Sequence, residues 1–231
     1  MNLRKKYKRN KRKVKRNDKY SVVFFDLDGT VADSGEGVTN SVIYALKKFG
    51  ISETVENTKR FIGPPLAHSF KEFYGFDDEK ATLGIQYYRE YYKEKGIYEC
   101  YLYDGIKELL SGLKRRGYKV VLCTSKPENY AKIVLEYLGV DKYFDIVCGA
   151  TMDEKTRTTK EEVMAYAMMT SHATPSTTLM VGDRHFDIGS ANYFGLDSVG
   201  VTFGYGTREE LKNASATYVV DNCDEIMKLL F

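Results

Sequence analysis

A doubly wound α/β fold with an inserted all-helical segment is what this 231-residue sequence predicts, and three observations carry that expectation. Val22-Val23-Phe24-Phe25 is an unbroken β-branched and aromatic run that stops at Asp26-Leu27-Asp28-Gly29-Thr30, as a strand buried on both faces does before a turn. From Asp104 onward, short apolar runs alternate with segments of helical spacing, the pattern of a mostly parallel sheet covered by helices. Residues 35–100 carry helical spacing without strand alternation, so they read as an insertion after the first strand. The expected organisation is a tail over 1–19, an α/β core from 20–34 and 101–231, and a helical cap domain over 35–100.

The elements follow in order. Val38, Val42, Ala45, Leu46 and Phe49 recur at helical spacing and Gly50 closes them. A short helix is expected over 55–61, stopped by Gly63-Pro64-Pro65, since proline cannot continue the hydrogen-bond ladder. Helical pattern resumes over 66–74 and again over 78–95, where Ala81, Ile85, Tyr88 and Tyr92 form one stripe with Tyr87 and Tyr91 beside it. Asp104 reads as the N-cap of a helix running to Arg116, ended by Gly117. Strands are then expected over 119–123, 144–148, 178–181, 198–203 and 217–220. Helices are expected between them over 127–138, 160–169 and 188–194, the first opened by Pro127.

Composition narrows the class. Hydrophobic residues make up 43% of the chain, enough for a sizeable core, yet no apolar run approaches the roughly 20 residues of a membrane span. Cys100, Cys123, Cys148 and Cys223 show no metal-type pairing, which fits a reducing cytoplasm. Residues 1–20 hold eleven Lys or Arg and one acid, so the remainder is acidic at −7 although the whole is +3. A segment this basic reads either as a solvated extension or as one that touches nucleic acid through phosphate charge.

Three strand ends present polar residues toward one edge of the sheet, the edge where open parallel sheets bind ligands. They are Asp26 and Asp28 after the first strand, Thr124 and Ser125 after the second, and Asp183 and Asp187 after the fourth, with Lys160 opening a helix between the last two sets. Two carboxylates at alternate positions suggest a metal, a nucleophile or both.

This constellation resembles the haloacid dehalogenase-like hydrolase superfamily over nearly the whole chain from Ser21. Asp26-Leu27-Asp28-Gly29-Thr30 looks like its first motif, Thr124-Ser125-Lys126 its second, Lys160 its third, and Gly182-Asp183 through Asp187 its fourth. Asp104-Gly105-Ile106, Gly200-Val201 and Gly204-Tyr205-Gly206 further resemble its phosphoglycolate phosphatase-like branch, which also includes 5′-nucleotidases.

The resemblance implies a Rossmann-like sheet and a phosphatase that attacks a small phosphomonoester with Asp26, giving an aspartyl-phosphate. Mg²⁺ would be held by Asp26, the backbone carbonyl of Asp28 and Asp183, with Asp187 supporting the metal or orienting Lys160. Asp187 could equally be a plain helix N-cap. Asp28 would carry the proton, helped by Thr30. Thr124 and Ser125 would bind phosphate oxygens and Lys160 would supply positive charge, with Lys155 and Arg157 as alternatives for that cation. Arg60 and the Gly63-Pro64-Pro65 loop would cover the substrate. The cap tyrosines are expected to pack the cap's own helices. Phosphoglycolate, nucleoside monophosphates and sugar phosphates all fit such a site, and a phosphomutase would use the same two aspartates.

Overall fold

The structure is a computed structural model that describes residues 17–153 and 155–231. The expected basic segment therefore lies outside the described residues except at its end. There Asn17 donates its amide to the Leu230 carbonyl at 2.9 Å, and Lys19 pairs with Asp197. Tyr20 is buried beside them and donates its hydroxyl to Asp197 at 2.6 Å.

In chain order the elements begin with β1 (Val22–Phe25) and the two-residue β2 (Ala32–Asp33). The helical segment holds α1 (Gly35–Lys48), α2 (Val55–Thr58), α3 (Leu66–Tyr74) and α4 (Asp78–Glu94). After β3 (Tyr101–Leu102) come α5 (Ile106–Arg115), β4 (Lys119–Pro127), α6 (Glu128–Tyr137), β5 (Ile146–Ala150) and α7 (Lys160–Ser171). The chain closes through β6 (Thr178–Gly182), α8 (His185–Tyr193), β7 (Asp197–Val201), α9 (Arg208–Asn213), β8 (Tyr218–Val220) and α10 (Cys223–Leu230).

Six strands form one parallel sheet in the order β5-β4-β1-β6-β7-β8, with Phe25 opposite Leu122 on one side and Val181 on the other. This is the doubly wound α/β fold expected. Alternation along β1 splits its side chains between two cores. Val23 and Phe25 join residues of α5, α6 and α10, while Phe24 packs with Val163, Met164 and Ala167 of α7 and Ala191 of α8. Phe24 is fully buried, and truncating such a phenylalanine costs about 3–5 kcal/mol.

Two differences have local causes. Asp104 does not cap α5; Gly105 precedes its first turn at φ 80°, and a Cβ there would lie 2.9 Å from that of Cys223, so the turn is set by left-handed backbone packed under α10. The strand expected over 119–123 continues to Pro127, because its register against β5 shifts between Thr124 and Pro127 and the chain stays paired through an irregularity.

The helical segment is joined to the rest through β2 and β3. They pair antiparallel, Ala32 opposite Leu102 and Asp33 opposite Tyr101, so the outgoing and returning chains run side by side. Within it α1 packs on α4 at small residues, and aromatic rings fill the interior, Phe70 stacking on Phe76 at 5.6 Å and meeting Phe61 at 5.1 Å. Among the described residues no helix is long and apolar enough to cross a membrane.

Candidate active site

The end of β1 builds the first part of the site. Asp26 continues the ladder, donating its amide to Val181 at 2.9 Å, and the chain then turns around the Leu27 carbonyl, which accepts from Val31 and Ala32 at 2.9 Å each. Leu27 is fully buried and faces away from the acids on either side of it. Gly29 makes the turn at φ 83°, and a Cβ there would come within 2.1 Å of Asp183 Oδ2. Only glycine lets the first and fourth motifs touch so closely.

Lys160, first residue of α7, is buried at 5% exposure and reaches Asp26 Oδ1 at 2.8 Å and Asp187 Oδ1 at 2.6 Å. Its helix is placed by a capping box in which Thr159 and Glu162 satisfy each other's amides. Asp187 also accepts the Arg184 amide at 3.1 Å, so it is a helix-start acceptor and a partner of Lys160 at once. Asp183 accepts the Tyr205 amide at 2.8 Å and the Thr30 hydroxyl at 3.4 Å. Gly206 fits closely here too, since a Cβ on it would sit 1.9 Å from the Asp183 carbonyl oxygen.

Burial raises the Asp26 carboxyl to about 6, against the pull of Lys160. Burial together with Asp187 and Asp26 pushes Asp183 well above the usual carboxylate range. Burial lowers the affinity of Lys160 for its proton, but Asp187 and Asp26 outweigh it and the net direction is up.

One oxygen from each of Asp26, Asp183 and Asp187 lies within 4.8 Å of the others. Three carboxylates around one lysine, two of them buried, leave negative charge uncompensated, and an all-oxygen donor set suits a hard divalent cation. The residues therefore fit Mg²⁺. The Asp28 carboxylate lies outside this cluster. Its Oδ1 accepts from the Ser34 hydroxyl and from Lys126 Nζ at 3.0 Å. Thr30, expected to assist Asp28, bonds Asp183 instead, because the turn directs it to the fourth motif.

Asp26, Asp28, Thr124, Ser125, Lys160 and Asp187 all line one cavity of about 340 Å³. Asp183 lies behind this wall. Phe61, Ile62, Gly63, Pro64 and Pro65 form part of the lining, so the loop expected over the substrate is there. Arg60 is not brought to this cavity. Its guanidinium lies over Phe73 at 4.4 Å and Tyr74 at 5.4 Å, and it lines a separate cleft with Asp33 and Tyr205. Arg157 lies over the Tyr166 ring at 4.0 Å and Lys155 is exposed, so neither replaces Lys160.

The tyrosines of the helical segment divide. Tyr87 packs on Phe49 as expected, at 5.5 Å, whereas Tyr88 and Tyr92 stack at 5.3 Å and both line the cavity. Sequence reasoning also missed Lys126, Ser34 and Arg184 as residues of the site. Lys126 stands in the second motif, but nothing in the sequence shows that it turns inward. Arg184 donates from Nη1 to the Ile62 carbonyl at 3.0 Å and from Nε to Glu210 at 2.9 Å, tying the sheet edge to the helical segment.

Comparison with known proteins agrees with this geometry. Residues 23–201 match the haloacid dehalogenase-like hydrolase family. A crystal structure of a predicted phosphatase from Clostridium acetobutylicum shares 47% identity at a TM-score of 0.88, covering 91% of this chain and 97% of that one. A 5′-nucleotidase from Pseudomonas aeruginosa is 37% identical over 201 residues, 87% of this chain and 90% of that protein. Tyrosine-protein kinase PtkA of Mycobacterium tuberculosis is 33% identical over 212 residues, 90% of this chain and 72% of that protein. With its strand order, its three polar strand ends, the lysine that opens α7 and these similarities, the chain belongs to the haloacid dehalogenase-like hydrolases, among their phosphatases.

Proposed function

We propose that this phosphatase hydrolyses a small phosphomonoester through a phosphorylated Asp26 and requires Mg²⁺. The observation that carries the reading is Asp26 itself. It lies at a cavity wall beside Lys160, next to a second aspartate with separate partners, on the same cavity as Thr124 and Ser125.

An oxygen of Asp26 bonds to phosphorus as the bond to the leaving oxygen breaks, and Asp28 gives its proton to that oxygen. A water then attacks the same phosphorus, returns its proton to Asp28, and the Asp26–phosphorus bond breaks. Inorganic phosphate leaves and both aspartates are restored. Repulsion between a carboxylate and a phosphate charge about 4 Å apart is about 4 kcal/mol near a protein surface. Lys160 offsets part of it. Mg²⁺ held by Asp26, Asp183, Asp187 and the Asp28 carbonyl would supply the remaining neutralising charge. Thr124 and Ser125 orient the phosphate, and the helical segment acts as a cap that keeps bulk water from the acyl phosphate.

Asp26→Asn is expected to abolish turnover of 4-nitrophenyl phosphate with Mg²⁺ and to abolish acid-stable labelling of the protein by phosphate. Undiminished turnover would sink the reading.

Within this class a nucleoside 5′-monophosphate is favoured over phosphoglycolate. Tyr130 and Phe186 line the cavity while only partly buried, giving an aromatic surface that a two-carbon acid cannot use and a nucleobase can. The relative from P. aeruginosa bearing the name 5′-nucleotidase points the same way. A panel comparing kcat/KM for nucleoside 5′-monophosphates, phosphoglycolate and hexose phosphates decides between them, and its product analysis separates hydrolysis from phosphate transfer between hydroxyls.

A further inference from the structure

Lys126 is a second buried lysine in the site, 9% exposed, at the irregular end of β4. A buried ammonium is costly unless its neighbours compensate it, so its partners indicate its task. They come from both sides of the cavity: Asp28 Oδ1 at 3.0 Å from the turn after β1, and the hydroxyl of Tyr92 at 2.7 Å from α4 of the helical segment. The ammonium also lies 4.9 Å from the centre of the Tyr92 ring. Lys160 does not take part in this set; it serves Asp26 and Asp187.

The two donors to Asp28 converge on one oxygen. Ser34 Oγ and Lys126 Nζ both bond Oδ1, which fixes the plane of the carboxyl group and leaves Oδ2 as the oxygen that exchanges a proton with the leaving group and with water. Lys126 is held in turn by Tyr92, which belongs to the helical segment and is 2% exposed. Lifting that segment would take Tyr92 away and leave Lys126 facing water, free to turn from Asp28.

We propose that Lys126 is a positioning residue that aligns Asp28 for proton transfer only when Tyr92 has closed over it, coupling cap closure to the acid–base step. The proposal rests on the reading of Asp28 as the proton carrier. It makes the cap a component of catalysis as well as a cover.

Leaving-group dependence tests it. 4-Nitrophenyl phosphate departs without a proton, whereas an alkyl phosphate such as glycerol 2-phosphate needs one. In Lys126→Met, kcat/KM for the alkyl ester is expected to fall about 100-fold further than single-turnover cleavage of the aryl ester. Tyr92→Phe, which keeps the ring and loses the hydroxyl, is expected to lose about tenfold on the alkyl ester in the same sense. Adding Lys126→Met to Asp28→Asn is expected to cost nothing further, since both act through one proton transfer.

An equal rise in KM for both esters in Lys126→Met, with kcat unchanged, would mean that the lysine binds substrate and would overturn the proposal. An unaffected Tyr92→Phe would overturn the coupling to the cap, and that variant carries the test alone where Lys126→Met does not fold. If Asp28→Asn shows no leaving-group dependence, the underlying reading of Asp28 fails, a result distinguishable from a failure at Lys126 alone.

Discussion

Lys160 pairs with two carboxylates through one buried charge, at 2.8 Å and 2.6 Å. Breaking a buried pair by removing one partner costs about 3–5 kcal/mol, so Lys160→Met is expected to lower stability by that order in urea unfolding. Mg²⁺ should recover more of the loss than it adds to the unaltered protein, because the variant leaves three carboxylates uncompensated; melting curves with and without the ion check this. Glu210 provides a pH signature away from that cluster. Burial raises its carboxyl, but the His185 amide, the Arg184 guanidinium and the His185 ring outweigh burial and bring it down to about 2. Its contribution to stability is therefore present well above the ordinary glutamate value of 4.5 and is lost as pH falls through that value toward 2. The stability gap between the protein and Glu210→Gln should shrink between pH 5 and about 2.5 in denaturant titrations. At this scale Asp26, Asp28, Lys160, Asp183 and Asp187 were legible because each sits at a strand or helix end that local pattern locates. Arg60, Thr30 and Lys126 were not, since their directions depend on a stacked ring, a turn and a partner from another element.

Elements were legible in proportion to their length. The run of 66–74 reads as a helix and is one, because four apolar positions share a face and the two prolines before it set its start. β2 and β3 are two residues each, too short for any alternation to show, although they join the helical segment to the sheet. Tyr205 braces that junction, its hydroxyl donating to Asp33 at 2.7 Å and accepting the Ser34 amide at 3.0 Å while its own amide holds Asp183. Inside the segment α1 meets the tight turn that follows α4 without room for side chains. A Cβ on Gly37 would fall 1.9 Å from the Gly96 carbonyl oxygen, and one on Gly96 would fall 2.6 Å from Ser41 Oγ. Gly37→Ala therefore has to push backbone, not a flexible side chain, and is expected to destabilise by about 1–3 kcal/mol in urea titration. Neither glycine looks different in sequence from those that end helices.

The whole sheet explains where the site lies. Strand order departs in opposite directions from β1, toward β4 and β5 on one side and β6, β7 and β8 on the other, so the loops diverge above the end of β1 and leave a crevice there. Asp26 stands at that divergence, and Asp183 faces it from the end of β6. Mg²⁺ binding at this point should raise the melting temperature, as any ligand selective for the folded state does, and Asp183→Asn should lose most of the shift. The fold and the placing of a helical segment over the site were legible in sequence, while the contacts that tie that segment to the sheet were not, because Arg184 to Ile62 and Lys126 to Tyr92 join residues far apart in sequence. The same strand order bears on how the chain comes into being. The strand that ends up near the centre of the sheet precedes the others in the chain, and its two neighbours follow far enough behind that Phe25 meets Leu122 and Val181 only after the helical segment has been made. At ~5–20 residues per second, β1 waits on the order of 5–20 s before β4 can pair with it, and longer before β6 can. During synthesis this is the stretch that a nascent-chain chaperone has most reason to hold.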